Sequence, residues 1–293
     1  ESNDLDGVAK LDDFESASQK SPMNMNFQRW THASKPNNDY FGASFPERGF
    51  TFWYNPFYVD NTGGKVFGVY TKFIWPQKET TETDQYTNVL NVVLDPEVNG
   101  ITGNQTLNEA RQIWGGIMQP VYMYDQSKSK YIEVWVRGER GQVQIDIGEI
   151  TEDWYNENYD PAFPHTEYGD GKLQTEDRNS NGILDISTGY NEDTGINGLT
   201  DEEEIMRGWN PSVDNFDKEG YKNGEVRYVN GTQGNAGNDG IQPYPDTEDI
   251  DRDGKLDQSN NYYSYTLDLN SDEWLASQTY FNNGDPTGWK QYR

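Results

Sequence analysis

Between residues 165 and 217 the sequence carries too much negative charge and too few apolar side chains to fold around an ordinary core. This stretch contains thirteen Asp and Glu residues against three Lys and Arg residues. Repulsion between the carboxylates and the entropy of ordering the chain both oppose a compact state. The stretch therefore predicts a fold that depends on bound cations.

Side-chain oxygens alternate within this stretch in the spacing of a calcium-binding loop. From Asp177 to Asp185 they stand at every second position, and Gly182 follows the third of them. Alternating oxygens surround one side of an ion, the glycine permits a sharp turn, and the residue after it offers its carbonyl oxygen. The predicted ligands of this first loop are Asp177, Asn179, Asn181, the carbonyl oxygen of Ile183, and Asp185.

Two further segments have related spacing. Residues 193–204 fit a twelve-residue calcium loop, although Gly195 brings no side chain to the third position. Residues 249–257 have the richest set of carboxylates, but Asn260 stands where a closing Glu is expected. The predicted ligands are Asp193, Asn197, the carbonyl oxygen of Leu199, Asp201 and Glu204 in the second loop, and Asp249, Asp251, Asp253, the carbonyl oxygen of Lys255 and Asp257 in the third.

A partial loop is also expected around Asp170 and Gly171, sharing Asp177 with its neighbour. An ordinary acidic turn is the alternative interpretation of any single loop. Three such loops in one chain favour calcium as the cofactor of at least one of them.

The composition limits the compartment and the partners. The chain has 293 residues, a formal net charge of -27 and no cysteine. This charge argues against nucleic acid, because phosphate binding requires a basic surface. The sequence has no apolar run long enough for a transmembrane helix. Because loops with weak calcium affinity fill outside the cytosol, the expected location is the periplasm or the cell surface.

Outside the acidic stretch, the chain has the pattern of short strands. Aromatic residues are dense between Phe27 and Tyr70, with glycine, proline and asparagine between them. Residues 131–137 and 142–148 alternate polar and apolar side chains, and the glycines between them predict a hairpin. The predicted fold is all-β: a jelly-roll-like β-sandwich of residues 1–150 and 260–293, with a loop-rich calcium-binding module inserted at 165–257.

Several stretches together resemble one family. They are Leu11–Glu15 (LDDFE), Trp114–Met118 (WGGIM) and Tyr131–Asp153, followed in order by the stretches NEDTGINGLTDEEE, PDTEDIDRDGKLDQSNNYYSYTLDL and GWKQYR. Their order is similar to that in the SprA (Sov) family, the outer-membrane translocon of the type IX secretion system, which is needed for gliding motility in some bacteria.

The resemblance implies a soluble domain attached to a wide β-barrel through which folded proteins cross the outer membrane. It further implies an outer-membrane-associated location, with other secretion components or exported cargo proteins as partners. Calcium would then make a scaffold or partner-docking element rigid.

Two other classes of function are open. A calcium-dependent carbohydrate-binding β-sandwich module is favoured by the aromatic residues and the LDDFE opening, with carbohydrate as the partner. A glycoside hydrolase would need two carboxylates at a defined separation, but among 50 Asp and Glu residues such pairs arise at any spacing. His32 and His165 have no neighbours in sequence that suggest a triad or a zinc site, so the chain is expected not to be an enzyme.

Overall fold

Short β-strands make up most of the regular structure, so the fold is all-β as predicted. The computed structural model describes residues 22–36, 47–48, 50–59, 61–95, 113–121, 131–138, 140–156, 169–187, 189–208 and 244–293. The LDDFE opening at 11–15 lies outside these ranges. In the described residues, one three-stranded and seven two-stranded sheets are present, so the jelly-roll arrangement stays a prediction.

Ten strands lie in the first half of the chain. They are β1 (Thr31–His32), β2 (Glu47–Arg48), β3 (Phe50–Tyr54), β4 (Phe57–Val59), β5 (Lys65–Phe67), β6 (Val69–Tyr70), β7 (Tyr86–Thr87), β8 (Asn91–Asp95), β9 (Ile113–Trp114) and β10 (Ile117–Met118). They pair as β1–β10, β3–β8, β4–β5 and β6–β7, all antiparallel, and as the parallel pair β2–β9. Phe52 and Trp53 of β3 are buried completely or almost so, which confirms a core role for at least part of the aromatic stretch.

The remaining strands are β11 (Val134–Arg137), β12 (Gln142–Glu149), β13 (Ile186–Ser187), β14 (Tyr190–Asn191), β15 (Asn261–Asp268), β16 (Leu275–Tyr280) and β17 (Pro286–Tyr292). The predicted hairpin between 131–137 and 142–148 is wrong. Instead, β11 pairs with β17, and β12 pairs with β15 over eight residue pairs.

A shared core explains why the two neighbouring strands separate. Val136 of β11 and Val143 of β12 pack against one cluster that contains Leu267, Leu269 and Tyr292. These apolar side chains are buried together when β11 and β12 lie in two different sheets, one on each side of the cluster. Leu269 also continues the β12–β15 ladder, because its amide donates to the carbonyl oxygen of Gly141 at 3.0 Å.

Helical structure is limited in the described residues. It comprises a 3-10 helix at Phe27–Arg29 and two short α-helices, Thr71–Ile74 and Asp201–Arg207. None of the described helices has the length and apolar character needed to cross a membrane.

The acidic region is joined to the first half of the chain by an apolar cluster. Trp154, Tyr155 and Ile196 are buried together with Met118 of β10, and Ile250 packs against them. His32 of β1 lies against Trp154, with ring centroids 4.7 Å apart, and is itself buried. Apolar contacts therefore connect the region that carries the loops to strands distant in sequence.

Candidate metal centres

The first predicted loop brings its side-chain oxygens together. The amides of Asn181 and Gly182 donate to the two carboxylate oxygens of Asp177, at 3.1 and 2.7 Å. The side-chain amide nitrogens of Asn179 and Asn181 both donate to Asp185 Oδ2, at 2.7 and 2.8 Å. Gly182 has φ of 73°, which favours glycine at this turn. The chain therefore wraps four oxygen-bearing side chains around one small volume.

The third predicted loop repeats this geometry. Asp249 accepts the amides of Asp253 at 3.0 Å and Gly254 at 2.8 Å through its two carboxylate oxygens. The amide of Lys255 donates to Asp253 Oδ1 at 2.8 Å, and its ammonium group contacts Asp253 Oδ2 at 3.1 Å. The backbone course is the one expected when the side chains of alternate residues point inward.

Glu152 joins the third loop from a distant part of the sequence. One carboxylate oxygen each from Glu152, Asp249 and Asp251 lies within 4.8 Å of the others. Three ionised carboxylates at this separation repel one another, and either protonation of one of them or a cation among them relieves the repulsion. The sequence alone did not assign Glu152 to the loop.

The second loop ends in a helix, and the helix orients its closing carboxylate. Thr200 precedes the helix Asp201–Arg207, and its hydroxyl oxygen accepts the amide of Glu203, while the Glu203 carboxylate accepts the Thr200 amide at 2.8 Å. This reciprocal cap fixes the first helical turn. The next residue, Glu204, is buried and directed back to Asn197, whose side-chain amide donates to Glu204 Oε1 at 2.7 Å.

The other oxygen of Glu204 is the clearest sign of a missing partner in this loop. Glu204 is 1% exposed, and its buried Oε2 accepts no hydrogen bond from any residue that the structure describes. Buried polar atoms are nearly always satisfied, and a bidentate carboxylate at the twelfth position is what a calcium loop requires. The donor set of the second loop thus fits a calcium ion. The second loop differs from the other two loops in one backbone contact: the Gly198 amide donates to the Gly195 carbonyl oxygen at 3.2 Å.

A buried glutamate stands immediately before the first residue of each loop, and sequence reasoning missed these residues. They are Glu176, Glu192 and Glu248, and Glu152 occupies the same place before Asp153; none is more than 3% exposed. The signal was present in the sequence as a recurring Thr-Glu-Asp or Asn-Glu-Asp triplet. Because glutamate is seldom fully buried, residue type alone does not predict that these four residues are buried.

The glutamates before the first and second loops each bind the other loop. Glu192 accepts the amides of Arg178 at 3.1 Å and Asp185 at 3.0 Å, which are the second and ninth positions of the first loop. In return, Glu176 accepts the amide of Thr194, the second position of the second loop, at 3.2 Å. Each loop is therefore held by a carboxylate of its partner.

Glu152 holds the third loop at the same two positions. Its carboxylate oxygens accept the amides of Ile250 and Asp257, each at 3.0 Å. These are again the second and ninth positions. The recurrence shows that this contact is a regular part of the loop architecture.

The two halves of the acidic region are joined through 174–176 and 246–248. Thr175 and Thr247 form an antiparallel bridge. The Glu176 amide donates to the Asp246 carbonyl oxygen at 3.0 Å, and the Asp246 amide donates to Glu176 Oε1 at 2.6 Å. The first and second loops are thus connected directly to the third.

Burial changes the acidity of these carboxyl groups. Burial raises the pKa of Glu152 to about 7 and that of Glu248 to about 8, against the lowering effect of the backbone N–H donors. It also raises the pKa of Glu176 well above its ordinary value, and the charge of Asp246 adds to this. A neighbouring cation favours the ionised form of each group.

In chemical terms, the arrangement presents hard oxygen ligands held by a backbone scaffold. Such a donor set suits calcium rather than metals that prefer nitrogen or sulfur. Comparison with known proteins adds no identification, since neither a family model nor a curated protein matches the chain.

Proposed function

We propose that the protein is a non-catalytic, calcium-dependent scaffold in which bound ions make a β-rich domain rigid. The observation that carries this proposal is the pairing of the loops through buried glutamates, together with the unsatisfied buried oxygen of Glu204. Carboxylates of one loop hold the backbone of another, so an ion that orders one loop also orders its partner.

Each loop offers a similar set of ligands. Side-chain oxygens come from the first, third, fifth and ninth positions where these carry Asp or Asn, and a backbone carbonyl oxygen comes from the seventh. The seventh positions are Ile183, Leu199 and Lys255. Glu204 adds a bidentate carboxylate in the second loop.

The cellular setting that we propose is the outer membrane, in a protein-export translocon of the type IX secretion system. Support comes from the ordered resemblance of several stretches to the SprA family and from the expectation of calcium outside the cytosol. The proposed partners are other secretion components or exported cargo. A rigid domain suits a component that keeps its shape beside a wide pore while cargo passes.

The calcium proposal is tested by thermal unfolding. We expect the melting temperature to rise when calcium replaces a chelator, because ligands that bind only the folded state stabilise it by mass action, by about 2.7 kcal/mol per site at a hundredfold excess over Kd. Magnesium serves as the control cation, since it keeps its waters and tolerates this geometry poorly. Equal melting temperatures in calcium and chelator would refute the proposal.

The export proposal needs a test in the cell. Deleting residues 165–257 from the full-length parent should block secretion of type IX cargo while the parent still reaches the outer membrane. Substituting the exposed residue Asp272, outside the deleted region, is the matched control. Normal secretion by the deletion strain would contradict the translocon role.

A second candidate function, carbohydrate binding, is favoured by one observation. Tyr263 and Tyr265 of β15 are 76% and 51% exposed, and their spacing places them on one face of the strand. Exposed rings on one face can stack on sugars. Glycan-array binding that is lost in Tyr263→Ala and Tyr265→Ala would favour this function over the scaffold.

A further inference from the structure

Gln174 has a buried side-chain oxygen for which the described residues supply no partner. The residue is 8% exposed, and Oε1 accepts no hydrogen bond from that part of the chain. Its amide nitrogen lies 3.0 and 3.1 Å from the two carboxylate oxygens of Asp170. Because the amide can be turned by 180° with the same shape, either its oxygen or its nitrogen can face Asp170. As the structure stands, Nε2 donates to Asp170 and Oε1 is the unpartnered atom; once the amide is turned, Oε1 and the two carboxylate oxygens of Asp170 converge, an arrangement that a cation stabilises.

Asp170 belongs to a loop whose first residue is Asp153; the sequence predicted only a partial loop around Asp170 and Gly171 that shares Asp177 with its neighbour. The amides of Asp170 and Gly171 donate to the two carboxylate oxygens of Asp153, at 3.0 and 2.9 Å. In the third loop, the fifth- and sixth-position amides contact Asp249 at 3.0 and 2.8 Å. Asp153 therefore occupies the first position although it lies 17 residues before Asp170.

The following residues continue the correspondence. The sequence from Asp170 to Gln174 is DGKLQ, and the third loop has DGKLD from Asp253 to Asp257. Gly171 and Gly254 both have positive φ, 74° and 81°. Gln174 thus stands at the ninth position, where the first and third loops have a carboxylate.

The glutamate contact is reciprocal here as well. Glu248 accepts the amides of Trp154 at 2.8 Å and Tyr155 at 2.7 Å through one oxygen, and of Gln174 at 3.0 Å through the other. With Asp153 as the first position of this loop and Asp170 as the fifth, Trp154 and Gln174 occupy the second and ninth positions. Since Glu152 holds the third loop in the same way, the two loops form a pair like the first and second.

Gly169 shows how closely the chain passes Asp153. A Cβ atom at Gly169 would lie 2.7 Å from the Asp153 carboxylate carbon, and its φ is 81°. Only glycine permits this approach.

We propose that Asp153 and 170–174 form a fourth, discontinuous calcium site. Its ligands are the carboxylates of Asp153 and Asp170, the carbonyl oxygen of Lys172 and the side-chain oxygen of Gln174. The site rests on the proposed calcium-dependent scaffold and adds one ion to the three held by continuous loops.

The number of bound ions tests the site. Native mass spectrometry of the whole chain in excess calcium should give one ion fewer for Asp170→Ala than for the natural sequence. Asp253→Ala, at the same position of the third loop, should also lose an ion. Asp272→Ala removes an exposed carboxylate outside the loops and should keep every ion.

Failure of the fourth site and failure of the scaffold give different results. If Asp170→Ala keeps the full number of ions while Asp253→Ala loses one, the fourth site is refuted and the scaffold stands. If the natural sequence binds no calcium, the scaffold itself is refuted.

A gain-of-affinity variant keeps the test valid should Asp170→Ala fail to fold. Gln174→Glu gives the ninth position a carboxylate, and calcium affinity rises with the number of charged ligands. Calorimetric titration with calcium should show one binding step tightened by roughly tenfold. Unchanged affinity in every step would refute the role of Gln174.

Discussion

Glutamate is expected at the surface, yet among the described residues four buried glutamates, Glu152, Glu176, Glu192 and Glu248, are hydrogen-bond acceptors for loop backbones. Glu248 alone accepts three backbone amides. The donated backbone amides favour the ionised form of Glu248 and so oppose part of the rise in its pKa that burial causes. The fit of these loops to one another thus depends on residues that do not contribute to the predicted ligand sets.

Replacing Glu248 by Gln should destabilise the protein by about 1–3 kcal/mol, because one side-chain oxygen becomes an amide donor that faces a backbone donor. Chemical denaturation in calcium measures the change. Glu273→Gln, at an exposed position outside the loops, is the matched control and should have little effect. Equal stabilities for the two variants would mean that the buried contacts carry no net energy.

Within the third loop, side-chain and backbone ligands should respond differently to substitution. Asp253→Ala removes a carboxylate ligand and should abolish binding at that site, whereas Lys255→Ala keeps the backbone carbonyl oxygen and should leave binding intact. Calorimetric calcium titration of both variants provides the measurement. Loss of the site in Lys255→Ala would contradict the assigned role of its carbonyl oxygen.

The alternation of polar and apolar residues predicted where strands lie in the sequence, but it did not predict which strands pair. The pattern at 142–148 located β12 to within one residue, because side chains alternate along a strand. The hairpin failed because the partner of a strand is chosen by packing, here against Leu267 and Tyr292. Nor could a pattern of consecutive residues reveal a loop whose first residue is separated from the rest.

The long antiparallel pair of β12 and β15 depends on a glycine. Gly148 has φ of 145°, and a Cβ atom there would lie 2.4 Å from the carbonyl oxygen of Asn261. Gly148→Ala should therefore weaken the pair, with a loss of roughly 1–3 kcal/mol measured by thermal unfolding.

Gly141→Ala is the control for this substitution. Gly141 stands at the other end of β12 with φ of 97°, but a Cβ atom there would meet nothing within 4 Å. Both variants carry conformational strain, and only Gly148→Ala adds a backbone clash. If both lose equal stability, the close approach of the two strands has no energetic weight.

In the described part of the molecule, the acidic loops are in direct contact with the β-strands and with an apolar core. Thr31 of β1 donates its hydroxyl to the carbonyl oxygen of Thr247 at 3.3 Å, and Met118 of β10 shares a core with Ile196 of the second loop. The sequence indicated an inserted module, but not the surface on which it packs. That surface is made by residues distant in sequence, which local patterns do not identify.

Chelation should therefore affect part of the molecule. We expect hydrogen exchange to accelerate in 169–208, in 244–257 and in the β1–β10 pair, because all three share contacts with the loops. The strand Val134–Arg137 belongs to another core and should stay protected. Limited proteolysis with and without chelator offers a second readout, and identical fragments under both conditions would contradict the expectation.

The contact between Glu152 and the Asp257 amide joins positions 105 residues apart in a chain without cysteine. A covalent crosslink at this place would restrict the unfolded chain, whereas a hydrogen bond is absent from the unfolded chain, so the entropy of closing the segment is lost when the protein folds. Here the contact is a hydrogen bond to a carboxylate beside the proposed calcium site, so we expect it to open when calcium is withdrawn and to close when calcium returns. A disulfide would need a redox partner to do the same.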